Sequence, residues 1–158
     1  MTKFMKCKDN YKPTVIYSHD GIEYKKLPWK WRRKYKYELV KDYTIYVSGI
    51  EVRGDIFTKY IVLKRVAGGI LMTLKKAYQW DGPSGITFDR KTNMRGGLVH
   101  DGGYQCLREG LVNFKYVDVF DKLFEKILIK DGMWKWLARR YFQAVNNDIV
   151  HNACARPR

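Results

Sequence analysis

Cysteine is scarce here: Cys7, Cys106 and Cys154 are three in 158 residues, an odd number with no Cys-x-x-Cys pair. That argues against a disulfide framework and a cysteine-based zinc site, and favours synthesis in a reducing compartment. Long apolar runs are missing too. No stretch approaches the roughly eighteen apolar residues of a membrane-crossing helix, so any contact with a membrane is from the side. Met1 to Asn10 holds three lysines and no apolar core, which gives no sign of a signal peptide. No repeat or low-complexity segment is present. Acidic residues are few: 16 Asp and Glu stand against 31 Lys and Arg, a formal charge of +15. A polyanionic neighbour is expected: nucleic acid, an anionic membrane face or an acidic protein surface.

Aromatic residues are abundant, at 15% with 12 Tyr and 5 Trp. They interleave with charge in Lys25, Lys26, Trp29, Lys30, Trp31, Arg32, Arg33 and Lys34. Residues 1–34 therefore read as a basic aromatic arm suited to a lipid headgroup layer or to phosphates and bases. The alternative is an arm packed on a neighbouring subunit with its charges solvated. A single α+β domain is expected over 35–150, strands first and helices second. Tyr43 to Val47, Ile56 to Val66 and Ile70 to Tyr78 are strand-like, the last two joined through Ala67-Gly68-Gly69 as a hairpin. Arg53-Gly54-Asp55 reads as an ordinary turn. After a loop at 80–91, Thr92 or Asn93 can cap a helix to about Glu109, stopped by Gly110. A second helix is expected from Asn113 to Asp131-Gly132, and a third from Met133 to about Asn147. The first two form an antiparallel pair. Residues 151–158 read as a loose tail.

The chemistry concentrates in two helices and the loop before them. On the second helix, Val117, Asp121, Phe124 and Leu128 share one stripe, so Asp121 is a carboxylate on a buried face and needs partners. On the first helix, His100 and Tyr104 are four residues apart and share a face. Antiparallel packing can bring Asp121 to His100, leaving the other ring nitrogen free as a general base. Gly96, Gly97, Gly102 and Gly103 each cost about 1 kcal/mol relative to Ala in a helix, which points to a close neighbour. Asp101 points elsewhere, toward the loop. With Asp81 and the loop main chain at Trp80 and Gly82 it offers an all-oxygen set for a hard cation, calcium before magnesium. A cation beside a histidine base suggests ester hydrolysis. The plainer alternative is a buried His–Asp contact with no catalytic role.

Trp80-Asp81-Gly82-x-Ser84, Leu98-Val99-His100-Asp101-x-x-Tyr104 and Asp121-x-x-Phe124 together resemble an uncharacterised protein family widespread in bacteriophages and prophages, over roughly residues 40–145. The resemblance implies synthesis in a host cytoplasm and residence in a virion, as a tail or capsid component among neighbouring virion proteins in an oligomeric assembly. The same residues are similar to the helix signature of calcium-dependent phospholipases A2. That resemblance implies His100 as base, Asp121 as its partner, Tyr104 as a hydrogen-bond donor to Asp121, and Asp101 and Asp81 as calcium ligands. This chain has Gly96, Gly97 and Gly103 where those enzymes carry cysteines. Two functions are thus expected: a virion-associated, calcium-assisted lipid esterase, or a non-catalytic virion protein that binds neighbouring subunits or DNA through its basic surface.

Overall fold

The computed structural model describes residues 14–28, 35–82 and 90–157, and the fold is α+β, with strands preceding helices. Two antiparallel four-stranded sheets come first. One has the order β1 (Ile16–His19), β2 (Ile22–Lys26), β3 (Tyr37–Leu39), β8 (Gln79–Trp80). The other has the order β4 (Tyr43–Ser48), β7 (Gly69–Leu74), β6 (Ile61–Val66), β5 (Ile56–Phe57).

The first correction concerns the basic arm. Residues 16–26 form a β-hairpin. Asp20 (φ 51°) and Gly21 (φ 78°) both take the left-handed conformation that a tight two-residue turn needs, and His19 faces Ile22 across it. Tyr24 alternates inward and packs edge-on against Tyr37 and Trp80. Lys25 is a strand residue whose Nζ lies 2.9 Å from Glu38 Oε1, and Lys26 ends the strand facing solvent. Trp29, Lys30, Trp31, Arg32, Arg33 and Lys34 lie outside the described residues, as do Pro83, Ser84 and Gly85 of the loop.

The expected long strands are shorter. Ile56 to Val66 is broken at Thr58, whose hydroxyl donates to the Ile61 carbonyl (2.9 Å) and accepts from its N–H (3.0 Å). Ile70 to Tyr78 is broken at Ala77 (φ 72°), after which the chain crosses to the other sheet as β8. Trp80 is therefore a strand residue, fully buried, with its carbonyl accepting from the Lys36 N–H at 3.1 Å. The Ala67-Gly68-Gly69 hairpin is present. Asp55 of the Arg-Gly-Asp turn accepts from the Arg65 N–H at 2.9 Å.

Four α-helices follow: α1 (Lys91–Arg108), α2 (Val117–Lys130), α3 (Lys135–Val145) and the single turn α4 (Asp148–Val150). Asn93 is not the residue that precedes α1. It sits inside the first turn and accepts from the Arg90 N–H at 2.9 Å. Asn113 caps a 3-10 turn, Phe114–Tyr116, that leads into α2. The tail is not loose: a π-helical turn, His151–Ala155, follows α4, and His151 and Ala155 are buried.

The α1 glycines mark close approaches. A β-carbon on Gly103 would lie 2.2 Å from the Phe120 ring, one on Gly96 2.9 Å from Leu128, and one on Gly102 2.7 Å from Leu74 of β7. The helix is pinched between α2 and the second sheet. Arg95 fixes its start, donating to Asp131 from Nε (2.9 Å) and Nη2 (2.6 Å) and to Tyr43 Oη (3.3 Å). The main core joins both sheets to α1 and α2, and a smaller one of Phe124, Leu128, Met133, Ala138 and Tyr141 sits under α3.

Candidate active site

Pinching α1 onto α2 brings His100, Tyr104 and Asp121 together. Asp121 is fully buried, and four donors surround it. Its Oδ1 accepts from His100 Nε2 (2.9 Å) and Tyr104 Oη (2.7 Å). Its Oδ2 accepts from His151 Nε2 (2.7 Å) and Asn146 Nδ2 (2.9 Å). An ionised carboxylate has about four acceptor sites, so Asp121 is saturated. Burial by itself would raise the acidity constant of this carboxyl. The hydrogen bonds from His100, Tyr104 and Asn146 outweigh it and hold Asp121 below the usual carboxylate range. Burial and the bond to Asp121 push the Tyr104 phenol far up, which keeps it a donor.

The tautomer of His100 follows. An ionised Asp121 can only accept, so the Nε2 facing it carries the proton. In the neutral ring Nδ1 is then the acceptor. Nδ1 has no hydrogen-bond partner among the described residues, and the ring borders a cleft of about 880 Å³. Tyr104 and Phe124 hold the ring, with centroids 4.0 and 4.9 Å away.

The same cleft is bordered by Asp81, Gly82 and Asp101. Asp101 is half-buried, and its carboxyl is pushed up to about 7, first by burial and then by the charge of Asp81. The Asp81 N–H and the Arg108 charge pull the other way. Two carboxylates thus border the cleft beside His100, and the charge of one raises the pKa of the other. That oxygen-only set fits a hard divalent cation. Trp80, expected in the same set, is committed to the sheet through its carbonyl. The apolar wall opposite is built by Phe124, Tyr141, Val145 and Val150.

His151 and Asn146 were not among the expected residues. Both come from the segment after α3, which carries no motif. The one available signal is a histidine and an asparagine within an otherwise helix-forming stretch. Ligand atoms of Asp118, Asp121 and His151 lie within 4.8 Å of one another, a second group able to hold a metal. There the Asn146 amide already bridges Asp118 Oδ1 (2.8 Å) and Asp121 Oδ2 (2.9 Å), so its protons fill the space between the carboxylates. A larger depression of about 1300 Å³ lies by the turns at 49–56 and 65–69; its acids Glu51 and Asp55 are exposed and it holds no histidine. The smaller cleft is where acid–base groups converge.

No protein-family model, no curated protein and no solved structure matches this chain. No helix among the described residues is long and apolar enough to cross a membrane.

Proposed function

We propose that the cleft is the hydrolytic centre of a calcium-assisted ester hydrolase of the phospholipase A2 type, acting on phospholipid. The observation that carries this reading is the Asp121–His100 hydrogen bond through Nε2, on a histidine that borders the same cleft as Asp81 and Asp101. His100 takes a proton from water at Nδ1 while the water oxygen attacks the ester carbonyl carbon. The imidazolium keeps Nε2–H on Asp121, which stays ionised and stabilises the positive ring. The proton on Nδ1 then passes to the departing alkoxide oxygen as the carbon–oxygen bond breaks. Asp81 and Asp101 would hold calcium, which when bound polarises the ester carbonyl and carries the developing oxyanion charge. Phe124, Tyr141, Val145 and Val150 offer an acyl chain an apolar wall.

The setting proposed is a phage-type virion, with the enzyme made in the host cytoplasm, carried as a tail or capsid component and used at the host envelope. It rests on the resemblance of the sequence pattern. The test of the chemistry is fatty-acid release from anionic phospholipid vesicles, followed by mass spectrometry with calcium and with chelator. Release needing both calcium and His100 is the expected result. Equal release by a folded His100→Ala variant refutes it.

A second reading is a non-catalytic virion protein that binds neighbouring subunits or DNA. The charge of +15 and the saturation of Asp121 within the protein favour it. It expects His100→Ala to leave function intact and DNA affinity, if present, to fall steeply with salt.

A further inference from the structure

The start of α3 carries a surface that the cleft does not use. Trp134 and Trp136 are 71% and 61% exposed, and their rings lie 6.1 Å apart. Burying an indole normally contributes strongly to stability, so two adjacent ones left in water suggest a partner. The charge around them is of one sign. Residues 122–140 hold six cations (Lys122, Lys126, Lys130, Lys135, Arg139 and Arg140) against two acids. Both acids are already engaged, Glu125 by Arg139 at 3.3 Å and Asp131 by Arg95 at 2.6 Å. Lys122, Lys126, Lys130, Lys135 and Arg140 face solvent.

We infer that this face is a docking surface for an anionic lipid bilayer. Indoles favour the headgroup layer, where an apolar ring and its N–H are both accommodated, and each nearby cation adds attraction to anionic lipid. Lipid is favoured over nucleic acid by what else α3 does. Trp134 immediately precedes α3 and Trp136 lies in its first turn, while Tyr141 and Val145 of the same helix border the cleft. Beyond the helix, Ile149 is 81% exposed, an aliphatic group that a bilayer takes up and a phosphate backbone does not. Docking through α3 would set the cleft close to the source of its substrate. That consequence rests on the hydrolase reading; the binding does not.

The experiment is cosedimentation of the full chain with phosphatidylglycerol and with phosphatidylcholine vesicles, in chelator so that no turnover occurs. Wild type should bind the anionic vesicles and bind the zwitterionic ones weakly. Trp134→Ala/Trp136→Ala should lose roughly tenfold or more in partitioning, and Lys135→Ala/Arg140→Ala about fivefold per charge. Far-ultraviolet circular dichroism should be unchanged, since all four side chains are exposed. In parallel, release of fatty acid from a monomeric short-chain phospholipid with calcium reads the cleft alone. The double Trp variant should match wild type there, so a dead cleft and an absent docking face give different patterns. Equal vesicle binding by wild type and the double Trp variant overturns the inference, as does no binding to anionic vesicles at all. A wild-type dimer that the Trp variant converts to monomer assigns the face to a second copy instead. DNA binding lost with the two Trp assigns it to nucleic acid.

Discussion

Asp121 and Asp101 lie on neighbouring helices beside the same histidine, and the protein treats them in opposite ways. Asp121 receives four donors from α1, the end of α3 and the π-helical turn, and its carboxyl is held below the usual range. Asp101 faces another carboxylate and is pushed up to about 7. The first is finished by the chain itself, so its charge contributes to stability. The second is raised by burial and by the charge of Asp81, so ionising it costs stability.

The largest effect is expected from Asp121→Ala. It leaves two imidazoles, a phenol and an amide facing a hole, and the expected loss is about 3–5 kcal/mol of unfolding free energy in urea. A change of a few tenths would mean that the network is ornamental. Gly103→Ala comes next. The added methyl meets the Phe120 ring, and spreading α1 from α2 should cost about 1–3 kcal/mol and, under the proposed function, lower fatty-acid release as His100 moves off Asp121. Gly54→Ala, with open space at its β-carbon, is the control.

Asp101→Asn should act with the opposite sign. The folded carboxyl titrates near 7 against an ordinary value of 3.8, so ionising it disfavours the metal-free fold. The contribution of Asp101 to stability is therefore fullest below about pH 4 and declines as pH rises toward 7. The variant should be more stable than wild type at pH 8 by about 1–2 kcal/mol, a figure reduced for the partial exposure of the site. The gain should vanish by about pH 4. Paired melting curves at the two pH values check this; an equal difference at both would mean that the carboxylate pair is not the cause. Asp121 obeys the reverse rule. Its depressed value contributes stability above the ordinary carboxyl range that is lost as pH falls through the folded value, so Asp121→Asn should flatten the acid limb of wild-type unfolding. The smallest effect belongs to Tyr104→Phe, about 1 kcal/mol, because Asp121 keeps three other donors.

Much of the Asp121 network was legible in the sequence for definite reasons. An aspartate in the middle of an apolar helical stripe had to be partnered, and a His–Tyr pair four residues apart was the nearest source. The α1 glycines announced a close neighbour, which proved to be both α2 and β7. The hairpin at 16–26 was hidden by charge. Its lysines suggested an arm, while the signal that decides the matter is Asp20-Gly21, a dipeptide suited to positive φ at both turn positions. His151 and Asn146 were not legible, because their role depends on α3 turning the chain back across α1 and α2. No local pattern encodes that return. The same holds for Trp80, which reads as loop beside Asp-Gly-Pro but closes a sheet by pairing with Tyr37.

The central proposal is that Asp81 and Asp101 hold calcium, while the Asp121 network is complete without a metal. Titration calorimetry of calcium into wild type, Asp101→Asn and Asn146→Ala tests it most directly. The expected result is one site in wild type, lost in Asp101→Asn and kept in Asn146→Ala. No binding to the folded wild type, or binding that survives Asp101→Asn and disappears with Asn146, would contradict it.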